Sequence, residues 1–288
     1  MLISRHLRSY AEAIRELPEG IEWTRESLLT DSFLMERHGE LAMYYAPHNE
    51  YANPSARIVL VGLTPGWTQM RIAIREARGA LAEGLGDEAV CRRAKEAARF
   101  AGTMRAHLIA MLDELGLHRH LGLRSSGALF RERDGLPFLR GVSEAGLAAI
   151  PVERSSDGLG EGSAEGMMVG SADGPHLMHS TSALRFPVFA RGRNYGGSRP
   201  GLLASPFLRE AALGSLRDEL GMLEAALVIP LGRTVEQALR ILAEEGSVDD
   251  ARCLWGFPHP SGANGHRRKQ FDAQRDRMER KLASIRWG

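Results

Sequence analysis

The sequence predicts an α/β protein, a three-layer α/β/α sandwich around a central, mostly parallel four-stranded sheet. Three observations lead there. The run Ile58-Val59-Leu60-Val61 is apolar without alternation, as a strand buried on both faces requires. Runs of this kind alternate along the chain with segments whose apolar residues recur at helical spacing. Rigid turns rich in Gly and Pro close two of the runs, at Gly62–Gly66 and at Phe257–Gly262.

The totals bound the rest. A chain of 288 residues holds one large domain or two small ones. A helical N-terminal extension over 1–50 is expected, followed by a main domain over 51–288. The hydrophobic fraction of 43% is ordinary for a globular protein. A formal net charge of +1 leaves any nucleic-acid contact to local clusters. Cys91 and Cys253 are too few for a zinc or iron–sulfur site and are expected reduced and buried. The apolar runs fall short of the ~20 residues of a membrane helix. Arg5, His6 and Arg8 in the first ten residues lack a following apolar core, so no signal peptide is expected. The expected location is cytoplasmic, with no membrane and no cofactor. The sequence sets no oligomeric state.

Asn53-Pro54-Ser55 turns the chain into the first strand, Ala56–Val61. Trp67–Leu85 is expected as a helix ended by Gly84 and Gly86, with Asp87 as N-cap of the next. Val90, Ala94, Ala97, Ala101, Met104, Leu108, Met111 and Leu115 carry a helical period up to Gly116, with a possible break near Gly102. Residues near 155–175 are rich in Gly and Ser and read as an inserted loop. The second strand and its exit fall within His176–Pro187. A basic loop with Arg191, Arg193 and Arg199 follows. Ser205-Pro206 caps and opens a helix with Leu208, Ala212, Leu216 and Leu220 on one face. Ala225–Leu231 is the third strand, and Thr234 with Gln237 forms a capping box for the helix after it. Cys253–Phe257 is the fourth strand, and the last helix runs from about His266 to Ile285.

Ligands of such sheets bind at the carboxyl ends of the strands. Thr64, Ser182 and His259 lie at such ends. His259 stands between Pro258 and Pro260, which hold the backbone extended. Alone, a histidine there can simply close a turn. His176-x-x-His179 and His118-x-His120 lack companion cysteines or carboxylates at useful spacing, so no metal site is expected. Gly62–Gly66 lacks the Lys-Ser/Thr ending of a triphosphate-binding loop.

Taken together, these residues resemble the uracil-DNA glycosylase superfamily. Gly62-Leu63-Thr64-Pro65-Gly66 is similar to its first motif and His259-Pro260-Ser261 to its last. Arg99-Phe100-Ala101-Gly102, Thr181-Ser182-Ala183-Leu184-Arg185 and Leu227–Leu239 resemble, in order, intermediate segments of its iron–sulfur branch. The likeness spans about residues 56–285. Phe186 stands where that branch has a cysteine, and its other cysteine positions are empty too, so no cluster is expected. Thr64 stands where active members have Asp, Asn, Glu or Ala, and Ser182 where an Asn reads the pyrimidine edge.

The resemblance implies hydrolysis of an N-glycosidic bond in DNA, with His259 as hydrogen-bond donor to the departing base. Thr64 then positions a water or only fills the turn; its hydroxyl is no general base at neutral pH. Phe100 stacks on an extruded base or is a core aromatic. Gly62, Pro65, Gly66, Trp67 and Ser182 complete the base pocket. Ser261, Asn264, Arg267, Arg268 and Lys269 would meet the DNA backbone on one flank, with Arg191 and Arg193 on the other; each basic cluster alone is more often a solvated helix face or a flexible loop. Gly262-Ala263-Asn264 offers no large wedge to fill the gap left by a flipped base. Two further readings stay open: a nucleic-acid-binding module without catalysis, and a hydrolase of free nucleosides or nucleotides.

Overall fold

The computed structural model describes residues 1–100, 103–130, 174–223 and 226–287. Helices α1 (Leu7–Arg15) and α2 (Arg25–Leu28) precede strands β1 (Leu34–His38) and β2 (Leu41–Tyr44). Then come β3 (Ile58–Gly62), α3 (Trp67–Ala82), α4 (Asp87–Ala98), α5 (Thr103–Glu114) and α6 (Leu117–His120). The second half holds β4 (Met178–Ser182), β5 (Val188–Ala190), β6 (Arg193–Asn194), α7 (Pro206–Gly221), β7 (Leu227–Pro230), α8 (Arg233–Glu244) and α9 (Arg267–Ser284). The Gly/Ser-rich stretch near 155–175 lies outside the described residues except at its end.

The fold is mixed α/β, with a parallel sheet in the order β4-β3-β7. Its central strand β3 explains the unbroken apolar run. Val59 and Val61 face a core shared with Met70, Ile74, Val90, Leu216 and Leu239 of α3, α4, α7 and α8. Ile58 and Leu60 face a second core with Leu108, Leu112, Phe271 and Met278 of α5 and α9. Helices therefore cover both faces of the sheet.

The sheet has three strands, where four are expected from the sequence. Cys253–Phe257 contributes one parallel bridge to β7, Val228↔Cys253, and one backbone bond to it, Leu254 N–H to Val228 O at 2.8 Å; beyond the strand, Gly232 N–H donates to Phe257 O at 3.0 Å. Asp249 caps a 3₁₀ turn just before the segment, and Gly256 at φ +89° bends the backbone within it. Trp255 packs in the first core and Leu254 and Phe257 in the second, so the apolar run is buried without a ladder.

The N-terminal segment is only partly helical. β1 and β2 form a hairpin that joins β5 and β6 in an antiparallel sheet, β1-β2-β5-β6. β1 reads Leu-Met-Glu-Arg-His and is mostly exposed, so it carries no apolar signature. Buried Glu50 ties this segment down, accepting from His6 N, Leu7 N, Ser4 Oγ and Tyr45 Oη.

Local signals fare unevenly. Ser205 Oγ accepts from Leu208 N at 3.5 Å, as its N-cap position implies. The N-cap of α4 is Gly86, with Asp87 as first helical residue. The N-cap of α8 is Gly232, so Thr234 lies inside the first turn and makes no capping box. The long apolar period is cut between Ala98 and Thr103.

Candidate functional site

The register aligns Gly62 with Ser182 and Val61 with Pro230, so all three strands end at one level. A cavity of about 700 Å³ opens there. The first turns of α3 and α8 point at it, through Gly66 and Gln69 on one side and Gly232 to Val235 on the other.

His259 lines this cavity, and its ring is fixed by the backbone. Ser261 N–H donates to His259 Nδ1 at 3.2 Å. Nδ1 is therefore the unprotonated nitrogen, and Nε2 carries the proton. Burial lowers the imidazole below its ordinary value, which keeps the ring neutral near pH 7. The turn is held from several sides. Asn264 Nδ2 donates to His259 O at 3.1 Å, Arg267 Nη1 to Ser261 O at 2.9 Å, and His107 Nδ1 meets Pro260 O at 3.1 Å. Beneath it, Gly232 sits at φ +93°, and a Cβ there would come 3.0 Å from His259 Cβ. Only glycine allows both the conformation and the approach.

Thr64 is largely committed to structure. Its hydroxyl donates to Phe186 O and accepts from Val188 N, each at 3.2 Å, tying the β3 turn to β5. One lone pair remains for a water. Ser182, 7% exposed, also lines the cavity. A Cβ at Gly62 would lie 3.6 Å from Ser182 Oγ, an ordinary contact.

Phe100 is both core and wall. It packs edge-on to Phe130 with ring centres 6.0 Å apart, and it lines the cavity. Its φ of +44° is a left-handed conformation that costs a non-glycine residue roughly 1–2 kcal/mol. Arg105 clamps that strained turn, donating Nε to Phe100 O at 2.8 Å and Nη2 to Arg99 O at 3.0 Å.

Of the residues expected at the site, Gly62, Thr64, Gly66, Phe100, Ser182, His259, Ser261 and Asn264 share the cavity. Pro65 and Trp67 do not line it; Trp67 lies under the Arg25 guanidinium at 5.3 Å. Arg267 is used to hold the Ser261 turn, and Arg268 pairs with Glu114 and Asp272. Lys269 is exposed in the first turn of α9, and Arg191 and Arg193 are exposed on the β5–β6 hairpin. From that hairpin Asn194 reaches the rim, where its Oδ1 accepts from Trp67 N at 3.1 Å.

Sequence reasoning missed the inner wall: His48, Asn49, Lys95, Arg99 and Thr181. Lys95 donates to Tyr51 O at 2.6 Å and is 5% exposed. Burial pushes its ammonium down to about 8, against the pull of Glu219. His48 is 3% exposed, and neither ring nitrogen has a hydrogen-bond partner among the described residues. Burial and the neighbouring Lys95 charge push it down to about 3. Each unmet polar group of this kind costs roughly 1–3 kcal/mol. Behind the wall, Glu219 accepts from His179 Nε2 at 2.6 Å and Thr181 Oγ1 at 2.9 Å. Asn53 N–H donates to His179 Nδ1 at 3.3 Å, so the proton is on Nε2 and the ring is neutral. Burial alone would raise the Glu219 carboxyl; the bond from His179 and the charges of Lys95 and Arg185 outweigh it and hold it low. Both nitrogens of His179 are thus engaged. Among the described residues no group of three or more His, Cys, Asp or Glu side chains is placed to hold a metal ion. No described helix is long and apolar enough to cross a membrane. One signal for the inner wall was available. Lys95 falls among Val90, Cys91, Ala94 and Ala98 on the buried face of α4, where a charge is out of place.

The chain is 36% identical over 287 residues to "Uncharacterized protein YoxB" of Bacillus subtilis (strain 168), covering 99% of this chain and 95% of that protein. The chain belongs to the YoxB family. No family model and no solved structure matches it.

Proposed function

We propose that this YoxB-family protein hydrolyses an N-glycosidic bond, releasing a deaminated, uracil-like or damaged base from DNA, with a fold of the uracil-DNA glycosylase type. The observation that carries the reading is the His259 ring: neutral, with its proton on Nε2, lining a cavity that the Phe100 ring also lines. In the reaction the bond between C1′ and the base nitrogen breaks and its electron pair leaves with the base. His259 Nε2–H donates to the base oxygen on which that charge gathers. A water oxygen forms the new bond to C1′, one of its protons passes to solvent, and the departing base takes up a proton. Thr64 offers its remaining lone pair to orient the water and removes no proton. Phe100 stacks on the base and the Ser182 hydroxyl meets its edge.

DNA is the partner in this reading, with Ser261, Asn264, Arg267, Arg268 and Lys269 on one flank and Arg191 and Arg193 on the other. The enzyme works in the cytoplasm, without a cofactor. The test is a panel of single-stranded and duplex oligonucleotides carrying uracil, hypoxanthine, xanthine or alkylated bases, alongside free deoxyuridine and its monophosphate. Release of free base with an abasic strand is expected. Binding of oligonucleotide with no base released favours a silent binding module. Release from the free compounds alone favours a small-molecule hydrolase.

A further inference from the structure

Arg233 is a cation placed against the interests of stability. It is the first residue of α8, a helix of 12 residues. There it stands at the positive end of the helix dipole, where a carboxylate is favoured and a guanidinium is not. The carboxylate of that first turn, Glu236, gives no relief. One of its oxygens accepts from Arg240 Nε at 3.0 Å and Nη2 at 2.6 Å, the other from Gly256 N at 2.9 Å. Among the described residues the exposed Arg233 side chain has no hydrogen bond, ion pair or ring contact. On the α9 flank, by contrast, Arg267 holds the Ser261 carbonyl and Arg268 is paired with Glu114 and Asp272.

Close approaches on either side fix where Arg233 sits. Just before it, a Cβ on Gly232 would come 3.0 Å from His259 Cβ. Just after it, Thr234 packs against the loop that follows β6: a Cβ on Gly197 would lie 3.4 Å from Thr234 Cγ2 and 3.5 Å from its Oγ1. Gly232, Arg233, Thr234 and His259 all line the cavity. Arg233 thus starts one residue, about 3.8 Å of backbone, from the contact with His259. The Thr234 hydroxyl also has no hydrogen-bond partner among the described residues.

We propose that Arg233 is a substrate-binding residue: its guanidinium, with the Thr234 hydroxyl beside it, holds the phosphate attached to the nucleotide whose base meets His259. The planar fork donates two parallel N–H bonds to two phosphate oxygens. The bound charge also supplies the counterion that Arg233 lacks. The inference rests on the glycosidase reading in taking the rest of the ligand to be a nucleoside at His259. The phosphate belongs either to a strand of DNA or to a free nucleotide.

Fluorescence anisotropy of the full chain tests this with a short labelled single strand carrying one 2′-fluorodeoxyuridine, whose fluorine disfavours positive charge on the sugar and so holds the base in place. Arg233→Gln should weaken the strand about tenfold. The slope of log K against log salt should shrink by about 0.7, as for one lost phosphate contact. Arg286→Gln removes an exposed cation beside Arg57 and Leu227, at the other end of the parallel strands, and should change neither. Uncharged methylphosphonates flanking the fluorinated nucleotide should weaken binding to the parent by a similar factor and leave Arg233→Gln indifferent. Deoxyuridine and its monophosphate, as competitors, separate the sources. A preference for the monophosphate that Arg233→Gln removes assigns the phosphate of a free nucleotide; a response of the strand alone assigns a backbone phosphate. The proposal is overturned if neither strand nor monophosphate loses more affinity in Arg233→Gln than in Arg286→Gln. It is equally overturned if the methylphosphonate and Arg233→Gln losses simply add. Base release by a parent indifferent to Arg233→Gln would sink the contact and spare the glycosidase reading; Arg233-dependent affinity without base release would do the reverse.

Discussion

At the His259 turn, polar groups meet partners supplied by the turn or its neighbours: Ser261 N–H on Nδ1, Asn264 on the His259 carbonyl, Arg267 on the Ser261 carbonyl. At the inner wall the opposite holds. Among the described residues His48 has no hydrogen-bond partner and Lys95 has one carbonyl; beside them Phe100 holds a strained backbone. The contrast separates two kinds of preparation. A satisfied turn aims one donor and needs no rearrangement when charge develops. An unsatisfied wall leaves polar groups without partners, at a cost in stability.

The largest effect should come from breaking the satisfied side. Gly232→Ala places a side chain at φ +93° and within 3.0 Å of His259 Cβ. It should cost about 1–3 kcal/mol of stability and displace the ring. Chemical denaturation would read the first effect. A base-release rate lowered on the order of 100-fold would read the second, because the donor is misaimed. A mid-sized effect of opposite sign is expected at the unsatisfied side. His48→Leu removes both orphaned nitrogens at similar volume, so unfolding should become harder by about 1–2 kcal/mol. A loss of that size instead would mean that His48 is already satisfied in solution.

Acid sharpens the comparison further. Unfolded histidines titrate near 6.5, whereas His48 is held at about 3 and His179 well below its usual value. Between those limits the unfolded chain binds protons that the folded chain refuses. Stability should therefore be full above pH 6.5 and fall as pH drops, by about 1.4 kcal/mol per pH unit for each histidine. Denaturation midpoints from pH 7 to 4 would show the slope, and His48→Leu should remove its own share.

The same contrast explains what could be read from the chain. The His259 turn was legible because its rigidity is local: Pro258, Pro260 and the glycines nearby write it into consecutive residues. β3 was legible because a central parallel strand must be apolar on both faces. Cys253–Phe257 misled for a related reason. Its side chains are buried in both cores, but burial does not require a ladder, and Gly256 turns the backbone out of the sheet. The inner wall joins a 3₁₀ turn after β2 to the end of α4, and only packing brings them together. Thr64 was read in two ways, and its bonds to Phe186 and Val188 place most of its hydroxyl in the structural one.

The most direct measurement of the central claim is the single-turnover rate of base release by the parent chain and by His259→Ala, on the oligonucleotide the parent cleaves best. Loss of one pre-aimed donor to the leaving group should slow release on the order of 100-fold or more. Equal rates in the two proteins would contradict the account.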